Sequence, residues 1–326
     1  MCQIIATILV LSGVCSSVAV ALAQHADFLG SRDAAHYAWI TSSAPDRRPV
    51  EPGNSAQQEQ NTQTAKQTES VIVSKGFSAE AYSQLGIALY RQGKPTDSLN
   101  AFSSMLKFRQ PNADELRIVG LDYVALHDLP SADRWLHASL SLKSDDWRTW
   151  RYLGGVLYSE EKAADAATSF HECLKLDPRN ALAEDGLARA LDALGHHDEA
   201  GQSYQLAVEF NRENHPPSPL PPLHYGIFLF KRGILKDALE QLNFAEVLDP
   251  KDSETHEILG SLYRRLGDRE KAIAETSIAA TLCPERARLH FVLAQLYRDA
   301  GKNAERQKEI EQYVVLSKNN PDDPDR

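Results

Sequence analysis

Four consecutive residues, His196-His197-Asp198-Glu199, form the chain's densest set of metal-ligand types. Imidazole and carboxylate would suit zinc, which needs three or four donors converging on one point. These four directly follow Gly195, on a tight turn between two helical patterns, where adjacent side chains diverge. They read as a solvated turn, and no metal or other cofactor is expected. His256 and His290 fall at the same large-residue slot as Trp150, so they read as partly buried core. The chain has no H-E-x-x-H, no G-x-S-x-G and no Gly-rich phosphate loop, so familiar hydrolytic and nucleotide chemistries lack their parts. Asp145-Asp146 and Asp322-Asp323 sit at a helix cap and in the tail. The expectation is a protein that is not an enzyme.

Arginine and tyrosine are better placed for recognition. Arg117, Arg148, Arg151 and Arg189, with Tyr152 and Tyr158 among them, project from helix faces not used in packing. Arg264 and Arg298 repeat the arrangement thirty-four residues apart. A planar guanidinium grips carboxylates in a bidentate fork, which suits a protein or peptide partner with acidic groups. The same arginines could instead pair locally with Asp145, Asp192, Glu257 or Asp299 as solvated charges of little energetic weight. Both readings stand on the sequence. The net charge of -10 argues against nucleic acid, whose phosphates need a basic surface.

A repeat positions these residues. Gly86, Gly120, Gly154 and Ala188 are spaced by thirty-four, and after a four-residue slip so are Gly226, Gly260 and Ala294. Gly233, Gly267 and Gly301 form a second ruler, and Pro250 and Pro284 a third. Such a period marks stacked supersecondary units. Within one unit, Trp150, Leu153, Leu157 and Tyr158 fall at helical spacing; after a polar break at Glu160-Glu161 come Ala163, Ala166, Ala167, Phe170 and Cys173. Pro178 ends the second helix, and Asn112 with Glu115 predicts a capping box at a helix start. The small residues let paired helices approach, while Phe102, Phe170 and Tyr204 fill gaps towards the next unit.

Trp150, Leu153, Gly154, Ala166, Phe170 and Pro178 resemble the tetratricopeptide repeat pattern of Trp, Leu-Gly, Tyr, Ala, Phe and Pro. The pattern recurs through Leu85-Gly86, Gly120, Leu187-Ala188, Tyr225-Gly226, Leu259-Gly260 and Leu293-Ala294, giving seven units from Ala79 to about Leu316. The resemblance implies an all-α fold, an α-solenoid coiling as a right-handed superhelix of helical hairpins, with a concave groove for a protein or peptide. The Lys/Asn clamp of some chaperone-binding members is not apparent, since Ser83 and Ile87 stand where it is expected. Arg306 replaces the small Ala of the last second helix, and Lys308, Glu309, Glu311 and Gln312 surround it, as suits a terminal helix with no successor.

Residues 1–23 read as a signal peptide ending Ala21-Leu22-Ala23. The alternative is an uncleaved inner-membrane anchor over 4–23, the one case in which a membrane is a partner. Val14 before Cys15 argues against a lipid-attachment site. Residues 24–78 read as a mostly disordered tether, rich in Gln, Thr, Ser and Asn. Repeats one to four occupy 79–214, a Pro-rich connector 215–222, repeats five to seven 223–318 and a flexible acidic tail 319–326. The connector suggests a bend in the array. Cys173 and Cys283 lie three repeats apart, too far for a disulfide, and read as small buried hydrophobes. The sequence thus describes a bacterial-type exported scaffold, periplasmic or secreted, monomeric by default. The competing reading is an accessory subunit of an envelope, secretion or polysaccharide-processing complex.

Overall fold

A computed structural model describes residues 78–319. The leader, the tether and the acidic tail from residue 320 on lie outside the described residues. Those described form fourteen helices and no strand. In chain order they are α1 Ala79–Arg91, α2 Pro95–Met105, α3 Ala113–Ala125, α4 Leu129–Leu142, α5 Trp147–Ser159, α6 Ala163–Leu176 and α7 Ala181–Ala193. Then follow α8 His197–Glu213, α9 Leu220–Lys231, α10 Leu235–Leu248, α11 Ser253–Leu266, α12 Arg269–Leu282, α13 Ala287–Asp299 and α14 Asn303–Asn319. Odd-numbered helices are the first of each expected pair. The chain divides into two compact units between Lys162 and Ala163, so α1–α5 belong to one and α6–α14 to the other. Among the described residues no helix is long and apolar enough to cross a membrane.

Each unit follows the α-solenoid plan of the sequence. In the first, α1 packs on α2, α3 on α4, and α1, α3 and α5 touch in succession. In the second, α6 packs on α7, and α7/α8, α9/α10, α11/α12 and α13/α14 form hairpins. The small-residue ruler sets these crossings. A Cβ added at Gly86 would lie 2.8 Å from the Phe102 ring, and one at Gly120 3.0 Å from Leu136. At Gly226 it would meet Leu242 at 2.7 Å, and at Gly260 Thr276 Oγ1 at 2.4 Å. Leucine at such a crossing costs about 1–3 kcal/mol through overpacking. Phe102 therefore packs against its own hairpin, and it also lines a small cavity with Leu116, Val119 and Trp135 of the next one. Phe170 reaches forward, onto Gly186 of α7, where a Cβ would come within 2.3 Å. Gly186 lies off the thirty-four-residue ruler and was not anticipated.

Helix starts are fixed by side chains. Asn112 and Glu115 form the predicted capping box of α3. Asn180 caps α7, Asp252 caps α11 and Asp268 caps α12, each accepting from a backbone N–H three residues on, which satisfies a donor the helix leaves orphaned. The turns inside the hairpins share one backbone state. Gly93, Gly195, Gly233, Gly267 and Gly301 have φ between 71° and 84°, and His127 and Glu161 adopt 61° and 62° in the same register. The turn ruler thus runs through all seven pairs, and in two of them a residue with a Cβ bears the left-handed conformation.

The slip between the fourth and fifth pairs is absorbed in α8, which runs 17 residues where α6 and α10 run 14. The Pro-rich connector is shorter than 215–222, since Leu220-Pro221-Pro222 form the first turn of α9, positions proline tolerates. Buried Asn211 holds the connector down: its Oδ1 accepts from Ser218 N at 2.8 Å and its Nδ2 donates to Ser218 O at 2.7 Å. The unit division falls at Lys162, not at this connector. Cys173 is fully buried as expected, whereas Cys283 is half-buried with its Sγ 3.1 Å from Ser253 Oγ; both are free thiols.

Candidate functional site

In the first unit the sequence-predicted recognition residues are largely engaged. Arg117 pairs with Asp114 at 2.9 Å and with Asp146 at 3.6 Å. Asp146 also caps α5, accepting from the Thr149 hydroxyl at 2.6 Å. Arg151 and Tyr152 are each 4% exposed, with the guanidinium stacked 4.3 Å over the Tyr152 ring. They are interior, contrary to the expectation that they project free of packing. Tyr158 is half-buried. Arg148 is exposed and lies 4.3 Å over the Trp147 ring.

The same unit holds a polar cluster that the sequence revealed only at its capping box. Glu115, 2% exposed, accepts from Arg109 through both oxygens at 2.7 and 2.8 Å, from the Asn112 backbone N–H at 2.8 Å, and from the Ser83 hydroxyl. Burial pushes its carboxyl up, and the donors from Arg109, Ser83 and Asn112 together hold it below the usual carboxylate range. A carboxylate so fully coordinated is structural: it joins α1, the loop before α3 and α3 itself.

In the second unit the first helices carry a different set. Asp185 of α7, 1% exposed, faces His224 Nδ1 of α9 at 2.8 and 3.0 Å. Glu257 of α11 pairs with Arg286 at 3.1 Å and Arg288 at 3.4 Å. Between them stands Glu254, exposed, in the first turn of α11. Burial by surrounding protein pushes its carboxyl up; His224 and Arg189 pull it back while Asp252 and Glu257 push it further, and the net direction is up. No hydrogen bond to its carboxylate exists among the described residues. Reachable by water yet hemmed in by protein, Glu254 lacks a full complement of positive charge. Half-buried Arg189 contributes to this field. Arg264 is exposed and reaches Gln295 at 3.3 Å, and Arg298 pairs with its neighbour Asp299 at 3.0 Å.

The histidines fall where the turn and core readings placed them. His196 and His197 are exposed and turn to different acids, Glu199 at 3.4 Å and Asp192 at 2.9 Å. His256 is 2% exposed. Its Nε2 lies 3.1 Å from the Pro250 carbonyl, and His290 Nε2 lies 3.2 Å from that of Pro284. Trp150 Nε1 donates to Ser144 O at 2.8 Å in the same way, six residues back. The large-residue slot is thus a ring N–H anchored on the preceding loop. Each histidine also directs Nδ1 at a carboxylate of the following helix, His256 at Glu275 (2.8 Å) and His290 at Glu309 (2.7 Å). Burial pushes His256 down, but Glu275 and the Pro250 carbonyl outweigh it and raise the imidazole above its ordinary value.

A surface depression of about 430 Å³ on the first hairpin is lined by Tyr82, Leu85, Leu89 and Lys94 among others. Residues 156–219 match a tetratricopeptide repeat family model. The CTR9 homolog of Arabidopsis thaliana is 35% identical over 89 residues, 27% of this chain and 8% of that protein. The crystal structure of the APC/C hetero-tetramer Cut9–Hcn1 superposes with a TM-score of 0.61 at 16% identity, covering 83% of this chain and 52% of that one. Yeast Tom70 gives 0.60 at 17% identity over 89% of this chain and 62% of its own. The chain therefore spans about half of the Cut9–Hcn1 chain and under a tenth of the CTR9 homolog. At these identities the solved structures speak for the fold alone.

Proposed function

We propose, from the premise that this is a protein of tetratricopeptide repeats, that it is a non-catalytic scaffold holding a protein partner against its first helices. The repeat fold is that of protein–protein interaction scaffolds, and buried Glu115 serves capping and packing. One observation carries the finer reading: Glu254 is a water-accessible carboxylate whose surroundings disfavour its charge and supply no hydrogen bond. A lysine or arginine brought by a partner would complete it with a charge-assisted bond. The partner of the second unit therefore presents a basic side chain, in place of the acidic groups that the arginine row suggested. Arg117 and Arg298 are already paired and Arg151 is interior, which leaves Arg148 and Arg264 as the exposed members of that row. The signal-peptide pattern of residues 1–23 supports a site of action outside the cytoplasm.

The test is quantitative capture of crosslinked partners by the wild type, Glu254→Gln and Glu254→Lys, with helical circular dichroism and melting as controls. Loss of a charge-assisted hydrogen bond, worth about 1.5–3 kcal/mol, weakens the Gln variant by about 10–100-fold, and the Lys variant loses the partner. Partners retained at wild-type levels by both folded variants contradict the proposal.

A further inference from the structure

His256 stands between two carboxylates from different helices. Glu246 of α10, His256 of α11 and Glu275 of α12 bring one ligand atom each into a group whose members all lie within 4.8 Å of one another. All three belong to the second unit. The pairing of His256 with Glu275 recurs one repeat later as His290 with Glu309, each imidazole anchored by a loop carbonyl. The third member does not recur: the residue thirty-four positions after Glu246 is Ala280. Packing of the slot is therefore satisfied by two groups, and Glu246 is an addition that the repeat does not require. Two carboxylates this close repel one another unless positive charge lies between them, supplied by the protonated His256 imidazole or by a bound cation that replaces its proton.

We propose that Glu246, His256 and Glu275 bind a divalent ion of the zinc class, fastening α10, α11 and α12 to one another. The donor set is one imidazole nitrogen and two carboxylates. That mixture suits zinc and its first-row neighbours, whereas calcium and magnesium prefer oxygen alone. His256 is already oriented for the role. With Nε2–H held by the Pro250 carbonyl at 3.1 Å, Nδ1 is the nitrogen turned to the carboxylates and offers its lone pair to an ion once its proton leaves, the second-shell arrangement typical of metal-bound histidine. Three protein donors leave a fourth tetrahedral position to water. Two ligands on one zinc sit about 3.3 Å apart, so the 2.8 Å separation of His256 Nδ1 and Glu275 Oε2 opens by about 0.5 Å on loading. The imidazole proton leaves as the ion enters, since only the neutral ring ligates.

The experiment uses the full-length, untagged chain stripped with EDTA and titrated with zinc chloride by calorimetry, alongside thermal melting. The expected result is one ion per chain from this site. Melting should rise by about 5–10 °C when free zinc is about 100-fold above Kd. Glu246→Ala copies the composition of the next repeat and leaves the His256–Glu275 pair intact. It should fold and melt as the metal-free wild type does, yet bind zinc about 100-fold more weakly, since even second-shell losses cost 10–100-fold. Glu309→Ala, in the two-member slot, should leave zinc binding unchanged. The proposal is overturned if zinc produces no shift, if Glu246→Ala binds as tightly as the wild type, if Glu309→Ala abolishes binding equally, or if calcium binds as well as zinc.

Discussion

Glu115 in α3 and Glu254 in α11 are both acids in the first turn of a first helix, and their surroundings oppose each other. Glu115 is 2% exposed and takes donors from Arg109, Asn112 and Ser83, which hold its carboxyl below the usual range. Glu254 is exposed at the surface, takes no hydrogen bond among the described residues, and is pushed upward by the protein crowded around it and by Asp252 and Glu257. The first acid is finished within the chain; the second is left for something else to finish. The two stand one position apart in the repeat, Glu115 three residues after its cap Asn112 and Glu254 two after its cap Asp252, and the neighbouring loops supply them with different partners. Arg109 sits just before α3, whereas the loop before α11 supplies Asp249 and Asp252.

Breaking the finished acid should have the largest effect. Glu115→Gln removes the buried one of Arg109's two carboxylate partners, leaving exposed Glu80, and should cost about 2–3 kcal/mol, measured by urea or thermal unfolding, with Arg109's partial exposure setting the lower end. The two acids should also tilt stability with pH in opposite senses. Because the folded Glu115 pKa is depressed, its contribution is present above the unfolded value and disappears as pH falls through the folded one. Melting of the wild type relative to Glu115→Gln should therefore converge on acidification. Glu254 is raised, so its ionised form burdens the folded state at neutral pH, and protonation relieves that burden. Glu254→Gln should melt at or above the wild-type temperature at pH 7, with the gap closing towards pH 4. A variant that instead melts well below the wild type would make Glu254 a second structural acid and erase the contrast.

A smaller effect sharpens the comparison through backbone placement. Gly260→Leu forces α11 away from Thr276 and should cost about 1–3 kcal/mol while displacing Glu254. Gly120→Leu should cost a similar amount at the helix carrying Glu115 yet leave partner capture by the second unit in place. The smallest change is a control that touches neither acid. Glu161→Gly relieves a left-handed residue with φ of 62° and should add roughly 0.5–1 kcal/mol to unfolding stability.

Much of this architecture was legible in the sequence because solenoid packing reuses the same few contacts. Gly86, Gly120, Gly226 and Gly260 each meet a second-helix side chain, as their spacing implied. The capping box at Asn112 needed only four residues and was equally visible. What stayed hidden depends on contacts outside the period. Gly186 answers the Phe170 ring from a position the ruler does not mark. His127 and Glu161 continue the turn register without glycine's signature. Asn211 clasps Ser218 across a connector that composition described only as stiff. Glu254 reads locally as an acid complementing a helix N-terminus; its shortage of positive charge appears only when Asp252, Glu257, His224 and Arg189 are placed around it. Periodicity marked the face of the arginine row but not the carboxylates already paired with Arg117 and Arg298 on it.

The central claim is that partners are held by the first helices. Site-specific photo-crosslinking tests it most directly, with the crosslinker placed singly at exposed Arg148 of α5 and Arg264 of α11, and at exposed Leu142 of α4 and Val247 of α10. The account predicts that one and the same partner is captured from first-helix positions and not from second-helix positions, and that Glu254→Lys removes the Arg264 adduct. Capture from Leu142 or Val247 with none from Arg148 or Arg264 would contradict it.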